Sequence, residues 1–125
     1  MSSNRYQDLT ANTNQHLISL RNGLPGVMQG FGALARSAMA PGVLDEKTKE
    51  LIAMAIGVAV RCEDCLGFHG KALVRVGATE EEVREMLGVA VYMGGGPSLM
   101  YAAHALEAFE EFSRAAQAKT GQVER

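Results

Sequence analysis

The chain has 125 residues, of which 47% are apolar and 21% charged, with a formal net charge of −2. That length suits one domain, residues 1–125, with a core of its own, and is too short for two. Scattered Lys and Arg without a basic stripe, together with few aromatics, argue against a nucleic-acid partner, and no apolar run approaches the ~20 residues of a membrane span.

The opening residues hold no apolar segment of the secretory kind, so no signal peptide is expected. Residues 4–21 are polar, with apolar positions only at Tyr6, Leu9, Leu17, Ile18 and Leu20, which predicts a helix packed through a narrow stripe. His16, among Asn and Gln, reads as a surface residue. Gly23, Pro25 and Gly26 close this element and open the next. Residues 26–39 place Val27, Met28, Phe31, Leu34, Ala35, Ala38 and Met39 at helical spacing. Gly30 and Gly32 each weaken an isolated helix by ~1 kcal/mol relative to Ala, but in a buried helix they admit a close neighbour. Met28 and Met39 are expected to fill gaps in the core.

Ala40, Pro41 and Gly42 end that helix. Asp45 reads as the N-cap of another, with Glu46 complementing its dipole. Residues 51–60 of this third helix are all apolar or Gly, so it is expected to be buried on every side and to run to Val60 or Arg61. A fourth helix from Cys62 or Glu63 to Val76 completes a hairpin, with Gly77 as the residue that stops it. Thr79 and Glu82 form a capping box, ahead of Val83, Met86, Leu87, Ala90 and Val91 on one helical face. The acidic run at residues 80–82 is then a solvated first turn.

Gly94, Gly95, Gly96 and Pro97 break the chain. No strand precedes them and no P-loop Lys follows, so they read as a packing turn and not as a phosphate cradle. The last helix starts at Pro97, runs to about Ala118 and carries Leu99, Ala102, Leu106, Phe109 and Ala116 as its apolar stripe. His104 falls opposite, beside Met100, Glu107 and Glu111, on the surface or at a subunit contact. Residues 120–125 are expected to fray. No segment alternates with period two, so the fold class is all-α, about six helices around a central hairpin that carries a Cys-x-x-Cys.

That hairpin holds the candidate chemistry. On a helix beginning near Cys62, the residues Cys62, Cys65 and His69 form one stripe. Cβ atoms three apart on a regular helix sit ~5–6 Å from one another, whereas a disulfide needs ~3.8 Å. The pair can close only where the backbone yields, in the first helical turn, where unpaired N–H groups also favour a thiolate. His69, one turn beyond Cys65, is placed to take its proton. Antiparallel packing about Arg61 brings Glu50 within about a turn of His69, where its carboxylate can orient the imidazole. A Cys-x-x-Cys also occurs in zinc sites, but a structural site needs two further ligands and only His16, His69, His104 and carboxylates remain. The cysteine pair fits a reducing cytoplasm, where a disulfide is transient.

Glu50, eleven further residues, Cys62-x-x-Cys65 and then His69 resemble the signature of the AhpD-like (alkylhydroperoxidase D) branch of the carboxymuconolactone decarboxylase superfamily. The resemblance extends to the stretch from Pro41 to Ala53 and to the Gly94–Pro97 break. It implies an AhpD-like helical bundle, a homotrimer or homohexamer, and a thiol peroxidase that needs no metal or organic cofactor. In that scheme Cys65 is the peroxidatic thiol, Cys62 the resolving one, His69 the base and Glu50 the carboxylate of the proton relay. The substrate is a hydroperoxide, and a thioredoxin-like or lipoyl-linked dithiol, or a peroxiredoxin, acts as partner. Asp64 stands where the hydroperoxidases of the family carry His, and a carboxylate beside Cys65, with Glu63 next to it, disfavours the thiolate. The alternatives are a carboxymuconolactone decarboxylase-type lyase, for which a dithiol has no use, and a non-enzymatic helical oligomer that binds a metal or partner.

Overall fold

The computed structural model describes residues 3–124, and among them are six helices and no strand. They are α1 (Arg5–Gly23), α2 (Pro25–Met39), α3 (Glu46–Ala59), α4 (Glu63–Arg75), α5 (Glu80–Gly94) and α6 (Gly96–Glu124). Their ends follow local chemistry. Asp45 accepts the Thr48 N–H at 2.7 Å to start α3. Thr79 and Glu82 exchange both capping-box hydrogen bonds at the start of α5. Gly77, at φ 78°, ends α4, with the Ala78 N–H donated to the Leu73 carbonyl at 3.0 Å. The last helix outruns expectation: it continues through residue 120 to Glu124, and of the tail only residue 125 lies outside the described residues.

Helix α4 lies centrally, packed against α6, α3 and α1, while α5 closes over α3 and α6. Two glycines of α4 set how closely its neighbours approach. A Cβ at Gly67 would lie 2.6 Å from Thr10 Cγ2 of α1, and one at Gly70 would lie 3.3 Å from the Ala108 and Phe109 backbone of α6. The core between these helices holds Tyr6, Met54, Val58, Leu66, Leu73, Val83, Leu87, Ala105, Phe109 and Phe112. Among the described residues, no helix is long and apolar enough to cross a membrane.

Three expectations change. Helix α2 buries none of its residues: Val27, Phe31 and Leu34 are exposed, and Met28 and Met39 are only partly covered. Helix α3 buries Glu50, Met54, Gly57 and Val58 but leaves Ile52, Ile56 and the following Val60 open, so its apolar run is covered on one side only. On α6 the buried stripe is displaced. Leu99 and Ala116 are exposed, while Ser98, Ala105, Ala108, Glu111 and Phe112 join Ala102 and Phe109 inside.

At the start of α1 the N-cap residue Asn4 makes no side-chain capping hydrogen bond, and Ser3 Oγ meets only the Arg5 N–H, at 3.1 Å. The rest of the cap comes from α6: the Glu111 carboxylate, 1% exposed, accepts the Tyr6 N–H at 3.1 Å and the Gln7 N–H at 2.7 Å. These are N–H groups that a helix start leaves without an intrahelical partner, and a carboxylate there also meets the positive dipole end. Replacing Glu111 by Ala should lower stability by ~2–3 kcal/mol, because two donors lose a charged acceptor. Glu111→Gln, which keeps one acceptor oxygen, should lose less. Urea unfolding of the two variants checks the order.

Candidate active site

The site is built on the turn between α3 and α4. After Val60 the chain reverses by placing Arg61 in the left-handed region, at φ 59°. The Arg61 N–H donates to the Val58 carbonyl at 3.2 Å and the Cys62 N–H to the Gly57 carbonyl at 3.0 Å. This is the same double closure that Gly77 makes at the end of α4. For a residue with a Cβ, this conformation costs roughly 1–2 kcal/mol. The turn leaves Cys62 as the N-cap of α4, in extended backbone, with its sulfur accepting the Cys65 N–H at 3.2 Å. Cys62 and Cys65 are joined as a disulfide, their Cα atoms 5.2 Å apart. Gly57 makes room for them, since a Cβ there would lie 3.2 Å from Cys65 Cβ.

His69 follows Cys65 by one helical turn, and its Nδ1 lies 2.7 Å from Glu50 Oε1 of α3. The Glu50 side chain is 7% exposed and the imidazole 30%. A carboxylate accepts and does not donate, so Nδ1 carries a proton toward Glu50, and in the neutral imidazole Nε2 is then the acceptor. The four residues expected from sequence therefore stand together, with Glu50 on His69, Cys62 on Cys65, and Cys65 one turn from His69. A cleft of about 390 Å³ reaches Glu50 from the α2 end, lined also by Arg36, Met39, Glu46 and Arg75. At its edge Arg75 donates to Glu46 at 2.8 Å, which holds the Glu46 carboxyl below its usual range. A larger hollow of about 750 Å³, between α1, α4 and α6, touches none of the four site residues. Among the described residues, no three of His, Cys, Asp and Glu are gathered so as to hold a metal ion.

The structure adds a cluster that the sequence did not announce. Glu63, first residue of α4, accepts the Tyr6 hydroxyl at 2.7 Å and lies 2.6 Å from His104 Nδ1 and 3.6 Å from Arg5 Nη2. Asp64 accepts the Thr13 hydroxyl at 2.6 Å. His104, expected on the surface or at a subunit contact, is thus turned inward onto α4. Burial pushes the Tyr6 hydroxyl far above its ordinary range, helped by the hydrogen bond to Glu63 and its charge. For Glu63 burial acts upward too, but the hydrogen bonds from Tyr6 and His104 and the Arg5 charge outweigh it, and its carboxyl sits below the usual range. Tyr6 and His104 are 57 and 41 residues from Glu63 in sequence, and no local pattern marks such partners.

The model of the carboxymuconolactone decarboxylase family matches residues 25–108. An uncharacterised protein of Cupriavidus necator is 38% identical over 97 residues, 78% of this chain and 86% of that one. One from Haemophilus influenzae is 36% identical over 104 residues, 83% and 92% of the two chains. Among solved structures, a Legionella pneumophila carboxymuconolactone decarboxylase family protein superposes with a TM-score of 0.87 at 56% identity, over 89% of this chain and 99% of that one. A Thermotoga maritima family member, for which a part in the antioxidative response has been suggested, gives a TM-score of 0.79 at 27% identity, over 88% and 94%.

The turn before Cys62 yields a prediction. Arg61→Gly should raise stability by ~0.5–1 kcal/mol, the left-handed penalty being offset in part by the greater freedom of glycine in the unfolded chain. A rise in the chemical-denaturation midpoint checks it. A fall would mean that the Arg61 side chain makes a compensating contact.

Proposed function

The chain belongs to the carboxymuconolactone decarboxylase family, and from that premise we propose that it is a thiol-dependent peroxidase and disulfide oxidoreductase. The observation that carries this is the Glu50–His69 hydrogen bond, 2.7 Å long, one helical turn behind a cysteine pair at the start of α4. Support also comes from the Thermotoga maritima neighbour, with its suggested antioxidative role. The lyase alternative leaves the cysteine pair without a part to play.

In this scheme His69 Nε2 takes the Cys65 proton, and Glu50 stabilises the imidazolium that forms. The thiolate attacks the terminal oxygen of a hydroperoxide. An S–O bond forms, the O–O bond breaks, and the departing alkoxide takes the proton from His69. Cys65 is left as a sulfenic acid. Cys62 then attacks that sulfur, the disulfide closes and water leaves. An external dithiol, thioredoxin-like or lipoyl-linked, or a peroxiredoxin, restores both thiols by exchange. The N-terminal end of α4 favours the thiolate throughout. Such a cycle belongs in a reducing cytoplasm, and no step asks for a metal or organic cofactor.

The exposed apolar residues support a homo-oligomer, a trimer or a hexamer. Phe31 is 67% exposed and Ile56 56%, on two helices that each leave an apolar face uncovered. Sets of this kind mark interfaces. Sedimentation of the parent should show an assembly of three or six chains, and Phe31→Glu or Ile56→Glu should dissociate it. A parent that sediments as a monomer at micromolar concentration would overturn the oligomer.

The catalytic test is intact mass and thiol count of reduced, metal-free protein after stoichiometric cumene hydroperoxide. The parent should lose both thiols and about 2 Da, the two hydrogens of the closing pair. Cys62→Ser should accumulate a trappable sulfenate, and Cys65→Ser should not react. His69→Gln and Glu50→Gln should slow the reaction, the former by roughly a hundredfold. If peroxide spares the thiols while a disulfide reagent oxidises them, the protein is a dithiol oxidoreductase and not a peroxidase.

A further inference from the structure

Glu63 follows Cys62 directly and is held from two other helices. Besides Tyr6 of α1 at 2.7 Å and His104 of α6 at 2.6 Å, Arg5 approaches at 3.6 Å. These holders are themselves fixed. The Arg5 guanidinium lies 5.0 Å over the Tyr6 ring and 3.4 Å from Glu107, and the Tyr101 ring sits 5.3 Å from the His104 ring. Asp64, the other carboxylate between the cysteines, is taken by Thr13. The start of α4 does not need this cluster as a cap, because the Cys62 sulfur already accepts the Cys65 N–H. The peroxidase cycle uses none of its members.

We propose that Tyr6, His104 and Arg5 act through Glu63 as positioning residues for the cysteine pair, clamping the first turn of α4 between α1 and α6 and drawing the Glu63 charge away from the thiols. The inference rests on the redox role proposed for Cys62 and Cys65. Its first consequence is geometric. Two cysteines three apart close only in the yielded backbone of a first turn, and a turn gripped from α1 and α6 keeps that backbone when the disulfide opens. The reduced pair then closes again with little rearrangement. The second consequence is electrostatic. An ionised carboxylate one residue from Cys62 and two from Cys65 opposes the thiolate. The Tyr6 hydroxyl and the His104 Nδ1–H point their positive ends at that carboxylate, and Arg5 supplies a full charge.

The test uses reduced full-length protein and the pH dependence of iodoacetamide alkylation, with each cysteine followed by mass spectrometry. The dithiol–disulfide equilibrium is measured against glutathione in parallel. Glu63→Gln should lower the thiol pKa and raise the thiolate fraction at pH 7 by about threefold or more. Tyr6→Phe and His104→Gln, which strip donors from a carboxylate that stays charged, should move it the other way by a similar factor. His104→Asn, whose amide N–H can stand where Nδ1–H stood, should restore the parent value. Well below the thiol pKa both thiols are protonated and the carboxylate's effect on the thiolate is silent. There the loosened first turn of Tyr6→Phe and His104→Gln should make the pair roughly threefold easier to reduce by glutathione. A merely structural tie would lower the melting temperature of all variants and leave the thiol pKa alone, or shift it in one common direction. Either result overturns the proposal. Thiol pKa values do not depend on turnover, so opposed shifts in a protein whose thiols ignore every oxidant would sink the redox role and leave the positioning intact.

Discussion

A carboxylate as buried as Glu50 is costly unless it is paired and hydrogen-bonded, and His69 is the partner that meets it. The pairing fixes the register of the α3–α4 hairpin, since residue 50 can reach residue 69 only if the chain reverses sharply after Val60. Sharp reversal is what places Arg61 in the left-handed region and Cys62 at the N-cap. The absence of a side chain at Gly57 lets the first turn of α4 close on α3. From this one hydrogen-bonded pair follow the tight turn, the cap and the position of the cysteine pair relative to the imidazole.

The same device recurs twice. Glu63 links α4 to α1 and α6, and Glu111 links α6 to the open end of α1. In a bundle of short helices with small residues at the contacts, dispersion holds the helices together but does little to choose one axial offset over another. A carboxylate with two or more donors does choose, because a slip of one turn would leave the acceptor or its donors unpaired. Helix α1 illustrates the point. Its apolar positions are sparse, yet its start is fixed by Tyr6, whose ring is buried, whose N–H goes to Glu111 and whose hydroxyl goes to Glu63.

The elements and the Glu50–His69 contact were legible in the sequence because local chemistry sets them. Asp45, Thr79, Glu82 and Gly77 each act within a few residues of themselves, and antiparallel counting across Arg61 brings residue 50 to residue 69. What was not legible is what covers an apolar face. Periodicity says that Phe31, Ile52 and Ile56 form apolar faces, but not whether the same chain or a second copy buries them. The α6 stripe failed for a related reason. Gly70 admits the α6 backbone at Ala108, and this close approach rotates the buried face toward Ala105, Ala108 and Phe112, away from the larger Leu99. With that rotation Glu111 goes inside and His104 comes within reach of Glu63, a pairing between residues 41 apart that leaves no periodic trace.

On sequence, two acids between the cysteines weigh against a reactive thiolate, Asp64 most of all. The structure shows each of them engaged away from its own helix, Asp64 by a hydroxyl and Glu63 by a hydroxyl, an imidazole N–H and a guanidinium. Hydrogen bonds to a carboxylate do not remove its charge, but they fix where that charge sits and spread it over the donors. The thiols meanwhile lie at the N-terminal end of α4, where the N–H groups of the first turn supply positive potential at short range. Unit charges a few ångströms apart near a protein surface interact by a few kcal/mol, whereas a helix end contributes ~0.3–2 kcal/mol. The helix end alone therefore does not cancel a carboxylate beside the cysteine pair, and how Glu63 is held sets how much of that opposition the sulfurs meet.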